Sequence, residues 1–167
     1  IDEVFATNRK TDKILVEKVI RAFFLLEGLS KVGLDFVFKG GSALMLIMDS
    51  LKRLSIDIDI LLYREPENLE NLFQELISSQ HFTRFELQHR SKESGIKKEH
   101  YKFFYNPVHK TKSTEEYILL DNQIEKPSYQ TVIELPIKSK FVISKNDEFL
   151  VKLPSKNDIL GDKLTAF

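Results

Sequence analysis

Apolar residues at three- and four-residue spacing mark the first element. Ile14, Leu15, Val19, Ile20, Phe23 and Leu26 share one side of a helix running from Thr11 to about Lys31. Thr11 has the hydroxyl of an N-cap, and Gly33 is placed to stop the helix. Residues 1 to 10 are expected to be a poorly ordered lead-in. The period then changes. Phe36 to Phe38 reads as a short buried strand, Lys39-Gly40-Gly41-Ser42 as a turn, and an apolar helix begins at Ser42. In the strand that follows, alternation is strict: Ile56, Ile58 and Ile60 point one way, and Ser55, Asp57 and Asp59 the other.

Pro66 opens another helix, Glu67 to about Gln80, with Leu69, Leu72, Phe73, Leu76 and Ile77 on one face. Thr83 to Arg90 and His100 to Asn106 alternate as an antiparallel hairpin, joined by a polar loop around Gly95. Tyr117 to Leu120 is an apolar strand ending in Asp121. Val132 to Pro136, Phe141 to Ile143 and Phe149 to Leu153 are interrupted by prolines and predict edge strands and loops. A last helix, Lys156 to Phe167, starts behind Ser155, with Asp158 at the spacing of a capping box. Helices interleaved with strands of both kinds predict an α/β (α+β) fold, a mixed β-sheet flanked by helices.

Composition narrows this little. At 167 residues, 42% hydrophobic and 30% charged, the chain has the balance of one globular domain with a sizeable core. It has no cysteine, which excludes a disulfide scaffold and a thiolate zinc site and fits a reducing cytoplasm. No apolar run has the length of a membrane span. The formal net charge is zero, so any contact with nucleic acid has to be local. One segment is a candidate: Arg90 to Lys112 carries seven Lys or Arg against two Glu, with His100 and His109 added, and could steer a phosphate-bearing substrate or simply form a solvated loop.

The chemistry gathers in the central stretch. Gly40 and Gly41 remove Cβ atoms that would keep a phosphate from the backbone, and Ser42 stands where a helix start presents free N–H groups. Asp57 and Asp59, side by side on one strand face, repel unless a cation lies between them. That layout suits phosphoryl or nucleotidyl transfer with Mg²⁺ or Mn²⁺. Four scattered histidines have no metal-ligand spacing.

Gly40-Gly41-Ser42-Ala43-Leu44 followed by Arg53-x-Ser55-x-Asp57-x-Asp59 resembles the signature of the nucleotidyltransferase superfamily. More narrowly, it resembles the AbiEii/AbiGii-type toxin nucleotidyltransferases of abortive-infection systems. The resemblance extends from Phe36 to the last residue. It implies a nucleotidyltransferase core domain over residues 1–167, acting on an NTP in the cytoplasm, with tRNA as acceptor and a cognate antitoxin as partner. It also implies a third acid from another strand, as metal ligand or base. Asp121 and Glu134 are the candidates, and Asp121 is preferred because its strand is the more regular. Lys163-Leu164-Thr165-Ala166 resembles the lysine motif that neutralises the nucleotide's phosphates, although Gly161-Asp162 stand where many relatives have Ala-Glu. Ser42, Arg53 and Ser55 are further candidate phosphate or substrate contacts, and Lys39 could be another or merely snorkel from the strand end. Relatives continue into a helical C-terminal part, so this chain is expected to be a fragment whose extended form is the active one. A small-molecule nucleotidyltransferase of the antibiotic-modifying type, or a non-catalytic nucleotide- or RNA-binding module, would use the same core. Retention of both Asp57 and Asp59 speaks against the module.

Overall fold

A computed structural model describes residues 12–48, 54–79, 81–93, 96–109, 114–126, 129–138 and 149–165. The expected lead-in, Thr11, Arg53, the Gly95 loop and the Phe141–Ile143 strand lie outside these. Eleven elements follow in order: α1 (Lys13–Lys31), β1 (Val37–Lys39), α2 (Gly40–Ile47), β2 (Ile58–Leu62), α3 (Leu69–Ser79), β3 (Arg84–Glu93), β4 (Ile96–Tyr105), β5 (Glu116–Ile124), β6 (Val132–Pro136), β7 (Leu150–Pro154) and α4 (Lys156–Thr165). The strands form one mixed sheet in the order β3-β4-β5-β2-β1-β7-β6. Pairs β5–β2 and β1–β7 are parallel, and the rest are antiparallel.

Helix α1 is capped by Asp12, whose carboxylate accepts from Ile14 N at 2.9 Å. Its end is the expected one. Gly33 adopts φ +74°, Gly33 N donates to Ser30 O, and Leu34 N donates back to Leu29 O, which together make a Schellman turn. Helix α3 begins two residues later than Pro66 suggests, because the Asn68 carbonyl takes the first helical bond from Leu72 N. At the C-terminal end Ser155 and Asp158 do form the capping pair: Asp158 N donates to Ser155 Oγ at 3.2 Å, and Ser155 Oγ donates to Asp158 Oδ2 at 2.7 Å. No helix among the described residues is long and apolar enough to cross a membrane.

Three strand expectations need correction. The β3–β4 hairpin is longer than its apolar alternation: the ladder continues to Glu93 opposite Ile96, and Arg90 on β3 pairs with Glu99 on β4. Glu99, only 1% exposed, meets Arg90 Nε at 2.7 Å and Lys97 Nζ at 3.1 Å, and accepts from Tyr101 OH at 3.0 Å. Strand β5 runs past Asp121 to Ile124, since Asn122 and Gln123 find polar partners and the β2 ladder continues alongside. Strand β7, expected at an edge, lies between β1 and β6 with Val151 and Leu153 buried; β6 and its Pro136 take the edge.

The core fills one face of the sheet. Phe38, Ile58, Ile60, Ile118, Leu120, Tyr101 and Phe103 meet the apolar sides of α1 and α3. Phe73 of α3 is wholly buried and stands edge-on to Phe85, Tyr101 and Phe103, with ring centroids 5.1–5.5 Å away. Phe73→Ala removes all three ring contacts and leaves a cavity. It should lower unfolding free energy by about 3–5 kcal/mol, read as a fall in the urea midpoint at unchanged slope.

Candidate active site

The face of the sheet away from the core carries a transverse row of polar side chains. Register partners on neighbouring strands share a face. Lys39 on β1 pairs with Asp59 on β2, Asp59 with Asp121 on β5, Asp121 with His100 on β4, and His100 with His89 on β3. Asp57 lies immediately before β2 and not on it, so the strand expected to carry both acids carries Asp59 alone; the charge of Asp121 still reaches Asp57. Ile58 and Ile60, on either side of Asp59 along β2, are fully buried on the opposite side, which fixes the orientation of Asp59.

The glycine turn serves these acids directly. Gly40 has φ +76°, and a Cβ there would fall on the Asp59 carboxylate, within 2.7 Å of Cγ. A Cβ on Gly41 would come within 2.9 Å of Ser55 Oγ. The missing side chains are therefore needed by Asp59 and Ser55 themselves, whatever else approaches the turn. Ser42 is 1% exposed, and its hydroxyl donates to the Asp57 carbonyl, tying the start of α2 to the entry of β2. Lys39 reaches over the sheet, its Nζ donating to Gln123 Oε1 at 2.6 Å.

Crowding shows in the acidities. Burial first, then the charge of Asp121, pushes the Asp59 carboxyl up from 3.8 to about 6; Asp57 adds to the rise, and Lys39 and His100 oppose it. Asp57 is raised by burial and by Asp121, with Lys18 opposing. The rise persists although Lys39, His100 and Lys18 oppose it, and carboxylate oxygens are the donors a hard divalent ion takes. Among the described residues no three or more His, Cys, Asp or Glu converge into a ready-made metal cage. Mg²⁺ needs less than that, since phosphate and water complete its sphere. Beside Asp57 lies a hollow of about 280 Å³ bordered by Lys18, Gln88, Tyr117 and Leu119. A larger one, about 690 Å³, lies away from the acids among Val32–Asp35 and Tyr63–Asn68.

Of the two acids weighed as the third carboxylate, Asp121 shares the face of the pair. Glu134 stands on edge strand β6, opposite Lys152 and with β1 and β7 between it and β2. Lys163 falls within α4, and its side chain lies outside those described. Arg53 lies outside the described residues altogether. The basic segment is divided: Arg90 and Lys97 turn to Glu99, Lys102 lies over the Tyr117 ring at 4.5 Å, and Lys98 is exposed. His100 and Gln123 are the residues the sequence reading did not place at the site. Alternation with Tyr101, Phe103 and Tyr105 puts His100 on the polar face, but only the β4–β5 register sets it opposite Asp121.

Because Asp59 has a raised pKa in the fold, the folded chain binds more protons than the unfolded chain between the ordinary carboxylate value and about 6. Stability without added metal should fall as pH rises through that window and level off above it. Asp59→Asn should flatten the slope and raise the midpoint temperature at neutral pH, read by thermal melts across a pH series. Gly40→Ala should cost at least about 1–3 kcal/mol, since strain at positive φ adds to the clash with Asp59; the urea midpoint reads this.

A model of the AbiEii family, "Nucleotidyl transferase AbiEii toxin, Type IV TA system", matches residues 24–167. No curated protein matches the chain. Two crystal structures from Helicobacter pylori resemble it. One, a candidate nucleotidyltransferase, is 19% identical, with a TM-score of 0.50 over 94% of this chain and 60% of its own. The other, JHP933, is 18% identical, with a TM-score of 0.51 over 94% of this chain and 58% of its own. The chain thus spans about three-fifths of their length, and at this identity the likeness shows the fold alone. With the family model covering most of the residues and the fold agreeing, the chain belongs to the AbiEii nucleotidyltransferase toxins of type IV toxin–antitoxin systems.

Proposed function

We propose that this chain carries the transfer centre of a metal-dependent toxin that moves a nucleotide from an NTP to a hydroxyl of tRNA, under the control of a cognate antitoxin. The observation supporting this is that Asp59 and Asp121 are register partners on one sheet face, with the charge of Asp57 felt at Asp59, beside a Cβ-free turn leading into α2. A bound Mg²⁺ or Mn²⁺ would offset triphosphate charge and polarise the transferred phosphorus. Asp57, Asp59 and Asp121 are the ligands in this reading, and the Gly40-Gly41-Ser42 turn, Arg53, Ser55 and Lys163 are the contacts to nucleotide. Asp121 also takes the proton of the attacking hydroxyl. The hydroxyl oxygen bonds to the α-phosphorus, the bond from that phosphorus to the bridging oxygen breaks, and pyrophosphate leaves.

Calorimetric titration with Mg²⁺ and NTP tests the ligands: Asp57→Asn and Asp59→Asn should each abolish metal-dependent binding while the circular dichroism spectrum is kept. Unchanged affinity in both variants would remove the metal site. Lys163→Ala should weaken triphosphate binding about ten- to hundredfold and nucleoside binding much less, as for a charge-assisted contact. Asp121→Asn should eliminate transfer and retain much of the binding, whereas Glu134→Gln should stay within a few-fold of the parent. Labelled NTPs incubated with cell tRNA and with a panel of small hydroxyl compounds decide the acceptor. Label in tRNA is expected; label in a small molecule, or binding without transfer to either, would overturn the tRNA assignment.

A further inference from the structure

Resting on that reading, we propose that His100 is the positioning residue for Asp121: it holds one carboxylate oxygen so that the other faces the Asp57/Asp59 pair. His100 Nδ1 donates to Asp121 Oδ1 at 2.5 Å, between register partners on β4 and β5. Both side chains are 32% exposed, so this bond is not the rescue of a buried polar group. What needs restraint is Asp121 itself. It stands beside Asp59, and like charges on adjacent strands favour rotation of one carboxylate away from the other. A donor on its far side opposes that rotation.

His100 is supported in turn. In β3 the ladder shifts between Leu87 and His89, leaving Gln88 as an extra residue. Without that bulge, His89 would share the face of Leu87, toward Tyr101; with it, His89 stands opposite His100, rings tilted 29° and centroids 6.0 Å apart. The bulge thus extends the row from Lys39 through the two acids to a pair of stacked rings. Groups that orient a metal-binding carboxylate in this way typically change affinity or rate by about 10- to 100-fold when removed.

The test compares His100→Ala, His100→Asn and His100→Gln, each checked for folding by circular dichroism. The asparagine amide nitrogen can take the place of Nδ1, and the glutamine amide lies nearer Nε2. Transfer should fall about 10- to 100-fold in the alanine variant and recover to within a few-fold in the asparagine variant alone. In protein labelled with ¹³C-aspartate, the Asp121 carboxyl resonance, assigned by its loss in Asp121→Asn, should move in His100→Ala and return in His100→Asn. Alanine and asparagine variants of equal rate, or a carboxyl resonance indifferent to residue 100, would overturn the proposal. Absence of transfer by the parent protein would strike the assigned reaction instead, and the resonance would still decide the role of His100.

Discussion

Mutual repulsion among Asp57, Asp59 and Asp121 is the constraint that organises this fold's polar face. Neighbouring strands bring the acids together, burial raises the charge penalty on Asp59, and each surrounding feature compensates. Gly40 yields its side-chain volume to the Asp59 carboxylate, Lys39 lies opposite it, and His100 occupies an oxygen of Asp121.

The opposite face supplies the rigidity. Phe73 locks α3 against the hairpin, and Glu99 ties β3, β4 and β5 from within. Burial pushes the Glu99 carboxyl up, but hydrogen bonds from Lys97 and Tyr101 and the charges of Lys97 and Arg90 outweigh it and hold the group ionised. Glu99 and His100 are consecutive, as are Asn122 and Asp121. One pair of strands therefore carries a buried polar clamp on one side and the half-exposed polar row on the other.

Asp59 was legible because isoleucines flank it, and a period of two leaves one solution when one face is buried; that β2 begins only after Asp57 was not. Asp121 was legible from the quality of its strand. The purpose of Gly40 was not, since the atom it accommodates lies nineteen residues away and only the fold brings it there. Nor was the length of the hairpin. Arg90, Lys97 and Glu99 look like a solvated loop until Arg90 on β3 is seen to pair with Glu99 on β4, which Lys97 meets along its own strand. The place of β7 depended on parallel pairing with β1, which no local pattern encodes. The cap of α1 falls on Asp12, one residue after the expected Thr11, since the Asp12 carboxylate takes the bond from Ile14 N.

The alternation along β5 also limits how this chain can diverge. Leu120 and Asn122 face inward and Asp121 outward, in a ladder bounded by β2 on one side and β4 on the other. Deleting or inserting one residue between Glu116 and Asp121 would turn the carboxylate into the Tyr101 layer and bring a leucine to the surface in its place. Length changes among relatives should therefore collect between strands, such as the stretch from Asn106 to Glu115, and be missing from the strand itself. A gap inside β5 in a related chain would mark a protein that has kept the sheet and abandoned the acid.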